Sequence, residues 1–423
     1  MLQTVLNAFS IPEIRRKLAF TAAMLLIYRF GAYVPSPGIN VDTVRDIEQN
    51  FQGANILGFL NLFSGGSLSR LSLFALGIMP YITASIILQL LTVVVPRLEA
   101  LQKEGEVGQQ KITQYTRYLT VGLAAGQAIG YVFLFQSFQN QAGTSVVGEL
   151  TFSKLWLIVI SLTAGTVLLM WLGELITQRG IGNGISLMIF ASIVSGLVGG
   201  IQAWWTNPDQ VFVVMMPFIA LAVIVAIVFV QEGQRRIPVQ YAKRVVGRRM
   251  TSGGSTYLPL RVNMAGVIPV IFAASIMAFP PTIGQLLNTP WALDLAAFFN
   301  PNRWAYVAGE VFFIIIFTYF YTAVTFNPVD QADNLKKHGG FIPGVRPGRP
   351  TAEFLDRVLS RLTFPGALYL GAVAALPTIL ISQTSASFFF GGTSILIVVG
   401  VALDTVKQLE AQLMMRNYEG FLK

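Results

Sequence analysis

The sequence contains few of the side chains that carry out covalent or metal chemistry. It has no cysteine, and His338 is its one histidine. The missing thiols exclude disulfides, thiolate nucleophiles and cysteine-held zinc or iron–sulfur sites, and a lone histidine disfavours histidine metal sites and catalytic triads. We therefore expect neither a metal site nor a catalytic centre based on cysteine or histidine.

One glycine-rich motif invites comparison with a nucleotide-binding loop. RGIGNGIS, residues 179–186, has neither a preceding strand nor the lysine and hydroxyl pair of a P-loop, and an apolar segment follows it. Nucleotide binding is therefore not expected. Gly180, Gly182 and Gly184 instead suggest a close approach of another backbone or a bend at a helix start, with ordinary packing as the alternative.

The composition is that of a membrane protein. Of 423 residues, 54% are apolar and 12% charged, and the mean hydropathy is +0.62, whereas soluble domains carry about 25% charged residues. A helical crossing requires about 20 apolar residues. Ten segments provide or approach that length: 18–35, 72–95, 118–136, 152–173, 182–203, 211–230, 262–280, 305–326, 364–382 and 388–403. The predicted fold class is an all-α polytopic membrane protein with ten transmembrane helices.

The distribution of basic residues predicts the orientation of these spans. Ten crossings place both termini on one side, and that side holds 24 of the 29 lysine and arginine residues. Cytoplasmic loops carry the excess of positive charge. Both termini are therefore expected in the cytoplasm, with the first apolar segment retained as a helix rather than cleaved as a signal.

A weak internal duplication divides the chain into halves. GIMPYITASII at 77–87 and GVIPVIFAASI at 266–276 share identities at a constant offset, with chance similarity between apolar helices as the alternative: Gly77/Gly266, Pro80/Pro269, Ile82/Ile271 and Ala84/Ala273. Each segment belongs to the second span of a set of five. Because five is odd, the halves 1–206 and 207–423 are expected to be inverted, with the working site between them near the bilayer midplane.

The stretch 56–95 is too long for one crossing and lacks a polar loop for two. Gly65 and Gly66 interrupt it, and Ser67, Ser69 and Arg70 make its middle polar. We expect a short half-helix at about 57–71 that re-enters from outside, followed by a full helix from Ser72. Irregular backbone at membrane depth requires surrounding protein or a water-filled cavity. The alternative is an amphipathic helix on the outer membrane surface.

Two long basic loops are predicted on the cytoplasmic side. Residues 231–261 contain QRRIPVQYAKRVVGRRM, and residues 327–361 contain DNLKKHGGFIPGVRPGRPT, whose glycines and prolines between 339 and 350 oppose a helix and favour a rigid hairpin. Such loops suit the docking of a large acidic or nucleic-acid partner. Contact with anionic lipid explains the charge equally well.

The predicted spans contain almost no acids. Glu174, Glu310 and Asp404 lie near span ends, so no proton relay is visible. Apolar residues dominate the helices expected to line a cavity. Their isoleucines have ordinary helix packing as the default interpretation: Ile78, Ile82, Ile185, Ile189, Ile271 and Ile397.

Several long motifs together resemble the bacterial SecY family, in the same order and almost end to end. They are NLFSGGSLSR (61–70), FALGIMPYITASIILQLLTVV (74–94), KITQYTRY (111–118), GIGNGIS (180–186), QYAKRVVGRR (240–249), LPLRVNMAGVIPVIFA (258–273), ADNLKKHGGFIPGVRPGRPT (332–351) and FGGTSILIVVGVALD (390–404). The resemblance implies a protein-conducting channel for unfolded secretory polypeptides that releases transmembrane segments sideways into lipid. It therefore implies a protein that is not an enzyme, with no catalytic residue and no cofactor.

The resemblance also implies roles for individual residues. The six isoleucines named above match the family's hydrophobic pore ring. The lateral gate lies between spans two and three and spans seven and eight, with Gln89 and Gln127 as polar candidates. Docking is assigned to Arg248, Arg249 and Arg346. The plug, which blocks the outer funnel, corresponds to Leu60, Asn61, Leu62, Phe63, Ser64, Gly65, Gly66, Ser67, Leu68, Ser69 and Arg70.

The implied partners supply the energy and complete the assembly. They are small SecE- and SecG-type membrane subunits, the SecA motor ATPase, the ribosome, the secretory polypeptide and membrane lipid, at the bacterial cytoplasmic membrane. Two other classes remain open on the residues alone. A secondary transporter of an apolar small molecule would also show inverted repeats and a broken helix. A membrane scaffold without a pore would leave the re-entrant segment unexplained.

Overall fold

The computed structural model describes residues 11–40, 43–44, 61, 63–137, 146–148, 150–205, 210–241, 244–246, 249–251, 255–277, 280, 284, 289–299, 303–384 and 392–421. This part of the chain is mostly helical. Its helices are α1 (Pro12–Gly31), α2 (Met79–Val94), α3 (Pro96–Lys103), α4 (Glu106–Ser137), α5 (Phe152–Arg179), α6 (Gly184–Trp205), α7 (Gln210–Glu232), α8 (Ile268–Met277), α9 (Pro290–Phe298), α10 (Trp304–Thr325), α11 (Pro328–Lys337), α12 (Arg349–Thr384) and α13 (Gly392–Phe421).

Each of the ten predicted spans overlaps one of these helices. In the described residues, four helical stretches are both long and apolar enough to cross a membrane: Phe152–Arg179, Val213–Glu232, Trp304–Lys337 and Arg349–Leu376. The pair α2 and α3, bent by 98°, adds a fifth if it is one broken span, and Gly184–Gly196 and Ile268–Met277 are shorter apolar helices. A helical membrane protein is therefore supported, while the count of ten crossings stays a prediction.

The start of α2 differs from the prediction for a physical reason. The helix begins at Met79, not at Ser72, because Gly77 has a φ of 59° in the left-handed region that interrupts a right-handed helix. Pro80 then occupies the first turn, where its missing N–H removes no helical hydrogen bond. The apolar run 72–78 therefore forms turns.

The start of α8 repeats this geometry at the same offset of 189 residues. Ile268 is the equivalent of Met79, and Gly266 has a φ of 64°. The first helical hydrogen bonds also correspond, because the amide of Ile82 donates to Ile78 O and the amide of Ile271 donates to Val267 O, both at 3.2 Å. The local backbone thus supports the duplication read from the sequence.

The two basic loops form one unit with a common core. β1 (Gln234–Tyr241) lies between β4 (Ser255–Arg261) and β5 (Gly340–Phe341), antiparallel to both, while β2 (Arg244–Val246) pairs with β3 (Arg249–Thr251). Alternation along β1 buries Ile237 and Val239, as expected for a sheet with one covered face. They pack in a cluster with residues of the second loop, including Ile342, Leu355 and Val358.

The second loop is more helical than the sequence suggested. Asn327 caps α11, and its side-chain oxygen accepts a hydrogen bond from the amide of Val329 at 3.0 Å. Pro350 does not prevent a helix, because it lies in the first turn of α12, where proline is tolerated. The non-helical part is therefore confined to the turn between residues 338 and 348.

Candidate functional site

The six predicted ring isoleucines lie in one hydrophobic cluster. They come from both halves of the chain: Ile78 and Ile82 from the start of α2, Ile185 and Ile189 from α6, Ile271 from α8 and Ile397 from α13. Five are at most 5% exposed, and Ile185 is half-buried. Residues separated by up to 319 positions in the chain thus share one apolar core.

Within this cluster, helices of the predicted N-terminal half pack against helices of the predicted C-terminal half. α2 packs against α8, and α13 packs against both α6 and α8. The hydroxyl of Ser275 on α8 lies 3.8 Å from the sulfur of Met79 on α2. This is a weak hydrogen bond, and the Ser275 hydroxyl also donates to Ile271 O at 2.8 Å, so it keeps a partner if α2 moves away. The contacts among the isoleucines are dispersive and non-directional.

The segment Phe63 to Arg70 is enclosed by protein, but the half-helix predicted for about 57–71 does not continue through it, because Asn61 and Phe63 are helical and the residues that follow are not. Phe63 belongs to the isoleucine cluster, and Ser67 and Leu68 are fully buried. From residue 64 to 71 the backbone forms consecutive turns, because Gly65 and Gly66 have φ values of 66° and 83°. Asn61 lies at the edge of the described residues, and Leu60 and Leu62 lie outside them.

Local hydrogen bonds fix the shape of this segment. The side-chain oxygen of Asn61 accepts from the amide of Ser69 at 2.9 Å, and Ser64 Oγ accepts from the amide of Leu68 at 3.1 Å. At its exit, Leu71 has a φ of 45°, a conformation that costs an L-residue roughly 1–2 kcal/mol. The amide of Ser36 donates to Leu71 O at 3.0 Å, which helps to hold the strained residue in place.

The sequence interpretation missed the residues of α1 and α6 that contact this segment. Tyr28 and Arg29 on α1, and Ser192 and Ser195 on α6, all make hydrogen bonds at Ser64 or Gly65 or to each other. Arg29 could have been recognised from the sequence, because it lies inside the apolar span 18–35 and an arginine in such a span is a functional candidate by default. In the charge distribution it counts only among the five basic residues of the predicted outer side.

The two glutamines assigned to a lateral gate lie on separate helices. Gln89 on α2 has a buried side-chain carbonyl oxygen without a hydrogen-bond partner in the described part of the protein. Gln127 is half-buried on α4, which packs against α2. Among the hydrogen bonds of the described residues, none joins Gln89 to Gln127, and their assignment stays a prediction.

Of the three docking arginines, the structure describes the side chain of one. Arg346 is exposed on the turn between β5 and α12, flanked by Gly344 and Gly348 with φ values of 83° and 99°. Its backbone oxygen accepts a hydrogen bond from Thr351 Oγ1 at 2.8 Å. The turn therefore presents Arg346 on a defined backbone. Arg249 begins β3, and Arg248 lies outside the described residues.

The glycine-rich motif makes close backbone contacts. A Cβ added at Gly184 would lie 2.0 Å from the backbone oxygen of Gly173 on α5, and one at Gly180 would lie 2.5 Å from Thr21 Oγ1 on α1. The motif thus lets α1, α5 and α6 approach each other. Within the described ranges, no group of three histidine, aspartate or glutamate side chains is placed to hold a metal ion.

The chemistry available at the isoleucine cluster is therefore that of an apolar constriction. Its isoleucines can neither bind a polar ligand specifically nor transfer a proton. A ring of apolar side chains can exclude water and ions while it is closed.

Comparisons with known proteins agree with these features. A profile of the SecY family matches residues 72–406. The chain is 49% identical over 441 residues to the protein translocase subunit SecY of Mycobacterium bovis, with all of both chains covered. Two solved structures are similar in fold, one described as a protein-conducting channel and one as Sec61 in the canine ribosome–channel complex, with TM-scores of 0.63 and 0.60. Each is 19% identical to this chain, and each match covers 93% of this chain and 91% of the other. The chain belongs to the SecY family.

Proposed function

We propose that this chain is a protein-conducting channel that moves unfolded secretory polypeptides across a membrane and releases apolar segments into lipid. The observation that carries the proposal is the convergence of six isoleucines from both halves on one cluster, with Phe63 of the plug segment packed into it. Family membership and the channels found among its structural neighbours support the same function.

The physics of this cluster suits a seal that must accept any sequence. Isoleucine side chains are apolar and interact by dispersion, which has no directional requirement, so the ring can close around chains of different composition. Separation of α2 from α8 would open a lateral path, and apolar segments would partition through it into lipid. The chain supplies the path and performs no catalysis. Energy comes from a partner's ATP hydrolysis or from ribosomal elongation.

The proposed setting is the bacterial cytoplasmic membrane. The ten predicted crossings, the inverted halves 1–206 and 207–423 and the cytoplasmic termini belong to this proposal, supported by the basic loops on one predicted side. The unit formed by those loops is proposed to dock SecA and the ribosome, through Arg346, Arg248 and Arg249. Small subunits of the SecE and SecG type are proposed to complete the channel within lipid.

Reconstitution tests the function directly. The purified chain, together with its small membrane subunits, should translocate an unfolded secretory polypeptide into sealed vesicles when SecA and ATP are added, measured by protection from external protease. Vesicles that contain the small subunits alone are the control. Equal protection in both preparations would contradict the proposal.

A further inference from the structure

The plug segment is held from the side by α1 and α6. The hydroxyl of Tyr28 on α1 donates to the carbonyl of Ser64 at 3.4 Å and lies 2.5 Å from Ser192 Oγ on α6. A Cβ built on Gly65 would lie 3.2 Å from the Cα of Ser192. Gly65 therefore lies directly against the α6 backbone, and the carbonyl oxygens of Ser64 and Gly65 accept hydrogen bonds from Tyr28 and Arg29 on α1.

Arg29 makes the charged contact at this place. Its Nη1 donates to the carbonyl of Gly65 at 2.7 Å and to Ser195 Oγ on α6 at 3.1 Å, and its Nη2 donates to the hydroxyl of Tyr33 at 2.8 Å. One planar guanidinium thus spans α1, α6 and the segment. Charge-assisted hydrogen bonds are stronger than neutral ones, and the rigid fork of arginine loses little freedom per bond.

Tyr33 extends this arrangement to the other end of the segment. The guanidinium carbon of Arg29 lies 4.8 Å from the centre of the Tyr33 ring, and that of Arg70 lies 4.4 Å from it. A cation over an aromatic face is attracted by the ring electrons. Arg70, the last residue of the plug segment, therefore contacts the same Tyr33 ring as Arg29, which binds Gly65 at the start of the segment.

The exit of the segment is fixed in a different way. The amide of Leu73 donates to Val34 O at 2.9 Å, and Ser72 forms an antiparallel bridge with Pro35. These backbone contacts lie on the far side of Arg70 and do not involve the Arg29 side chain. They can persist as a hinge while the part between Ser64 and Arg70 moves.

We propose that Arg29 is a latch that holds the plug segment in its sealed position, by bridging Gly65, Ser195 and Tyr33. The inference rests on the proposed function and adds a positioning residue to it. When α1 moves relative to α6, one guanidinium can no longer reach both Gly65 and Ser195. Loss of these Arg29 hydrogen bonds then releases the segment, while the backbone contacts of Ser72 and Leu73 stay paired as a hinge.

A cysteine reporter can measure release of the segment, because the native chain has no cysteine. Ser67 is fully buried on the segment, and Ala292 is fully buried on α9, outside the hydrophobic clusters that contain residues of the segment. In membranes that contain the full chain and its small subunits, Ser67→Cys should react slowly with an impermeant maleimide from outside. Adding Arg29→Ala should raise that rate by about tenfold or more, the factor expected for losing a charge-assisted hydrogen bond to a buried carbonyl.

Matched controls separate a latch from general loosening. Arg303→Ala removes the same charge from an exposed position on the predicted outer side, whereas Arg29 is half-buried, and should leave Ser67→Cys slow. Ala292→Cys should stay slow in both backgrounds, and an equal increase at Ala292→Cys and Ser67→Cys would overturn the latch. Arg29→Lys should give a Ser67→Cys labelling rate between those with native Arg29 and with Arg29→Ala, because one ammonium cannot span three acceptors in a planar fork. A labelling rate equal to that with native Arg29 would contradict the bridge.

The outcome for the latch is distinguishable from that for the function. Translocation is measured in the same membranes with the parent chain. If the parent translocates and Arg29→Ala leaves Ser67→Cys slow, the latch is wrong and the channel function stands. If Arg29→Ala speeds the labelling but no preparation translocates, the proposed function is wrong and the contact remains a latch on the segment.

Discussion

The hydroxyl of Ser275 on α8 lies 3.8 Å from the sulfur of Met79 on α2, although the two residues belong to different halves of the chain. Both helices begin at equivalent positions of the duplication. The contact therefore marks the seam where the proposed lateral gate is closed.

Joining the halves at this seam should block translocation. Met79→Cys with Ser275→Cys, linked by a short reducible cross-linker, prevents α2 and α8 from separating, so protease-protected polypeptide should fall to background and recover after reduction. Met277→Cys with Gly309→Cys is the control. Met277 packs against Gly309 within one half, and its cross-link should be tolerated. Normal transport across the linked Met79–Ser275 seam would show that the gate lies elsewhere.

Polar substitution of two ring isoleucines should increase ion leak without loss of protein. Ile82→Asn with Ile271→Asn wets the constriction, whereas Ile160→Asn with Ile224→Asn places the same change on exposed faces of α5 and α7. The ring variant should accumulate normally and show a larger resting conductance in a planar bilayer. The control should insert less well and conduct as the parent does. The reverse pattern would make Ile82 and Ile271 packing residues.

Reversing the charge of Arg346 should impair docking but not folding. The residue is exposed on a turn between two glycines with positive φ, so Arg346→Glu should change the free energy of unfolding by less than about 0.5 kcal/mol. SecA-driven export should slow by about tenfold, because repulsion replaces attraction at the interface. Arg361→Glu, also exposed but on α12, is the control. Equal export rates for parent and Arg346→Glu would favour lipid contact as the role of this charge.

Cysteine accessibility should report the orientation. Arg303 precedes α10 on the predicted outer side, and His338 follows α11 on the predicted cytoplasmic side; both are exposed. In intact cells, Arg303→Cys should react with an impermeant maleimide, and His338→Cys should react only after the membrane is opened. The positive-inside distribution of the basic residues is the reason. Reaction of His338→Cys alone in intact cells would invert the assigned orientation.

Two glycines should respond differently to the same substitution. A Cβ at Gly184 would lie 2.0 Å from the backbone oxygen of Gly173, whereas one at Gly122 meets nothing within 4 Å. Gly184→Ala should therefore destabilise the protein by about 1–3 kcal/mol through overpacking. Gly122→Ala, on an exposed face of α4, should stabilise it by up to about 1 kcal/mol. Detergent unfolding curves measure both changes. Equal unfolding midpoints for Gly184→Ala and Gly122→Ala would show that the α5–α6 contact adjusts to the added methyl group with little loss of stability.

The sequence by itself determined the properties that depend on composition and local order. Long apolar runs and few charges predicted a helical membrane protein, and the described helices occur in all ten predicted segments. The identities Gly77/Gly266 and Pro80/Pro269 indicated the duplication, although the helix start at Met79 was not predicted. The matching helix starts are a local effect, because the conformational freedom of glycine and the fixed φ of proline act within one turn. Motifs along almost the whole chain also indicated the SecY family, and the comparisons confirm it.

The tertiary structure decided which distant residues meet. Ile82 and Ile397 share a cluster because helices from both halves pack together, and β5 joins two loops that the sequence presents about 100 residues apart. The Arg29 fork reaches Gly65 only because α1 and α6 enclose the segment. Periodicity along a chain fixes the face that a residue occupies on its own helix. It does not fix the neighbour opposite that face, which depends on the packing of all the helices at once.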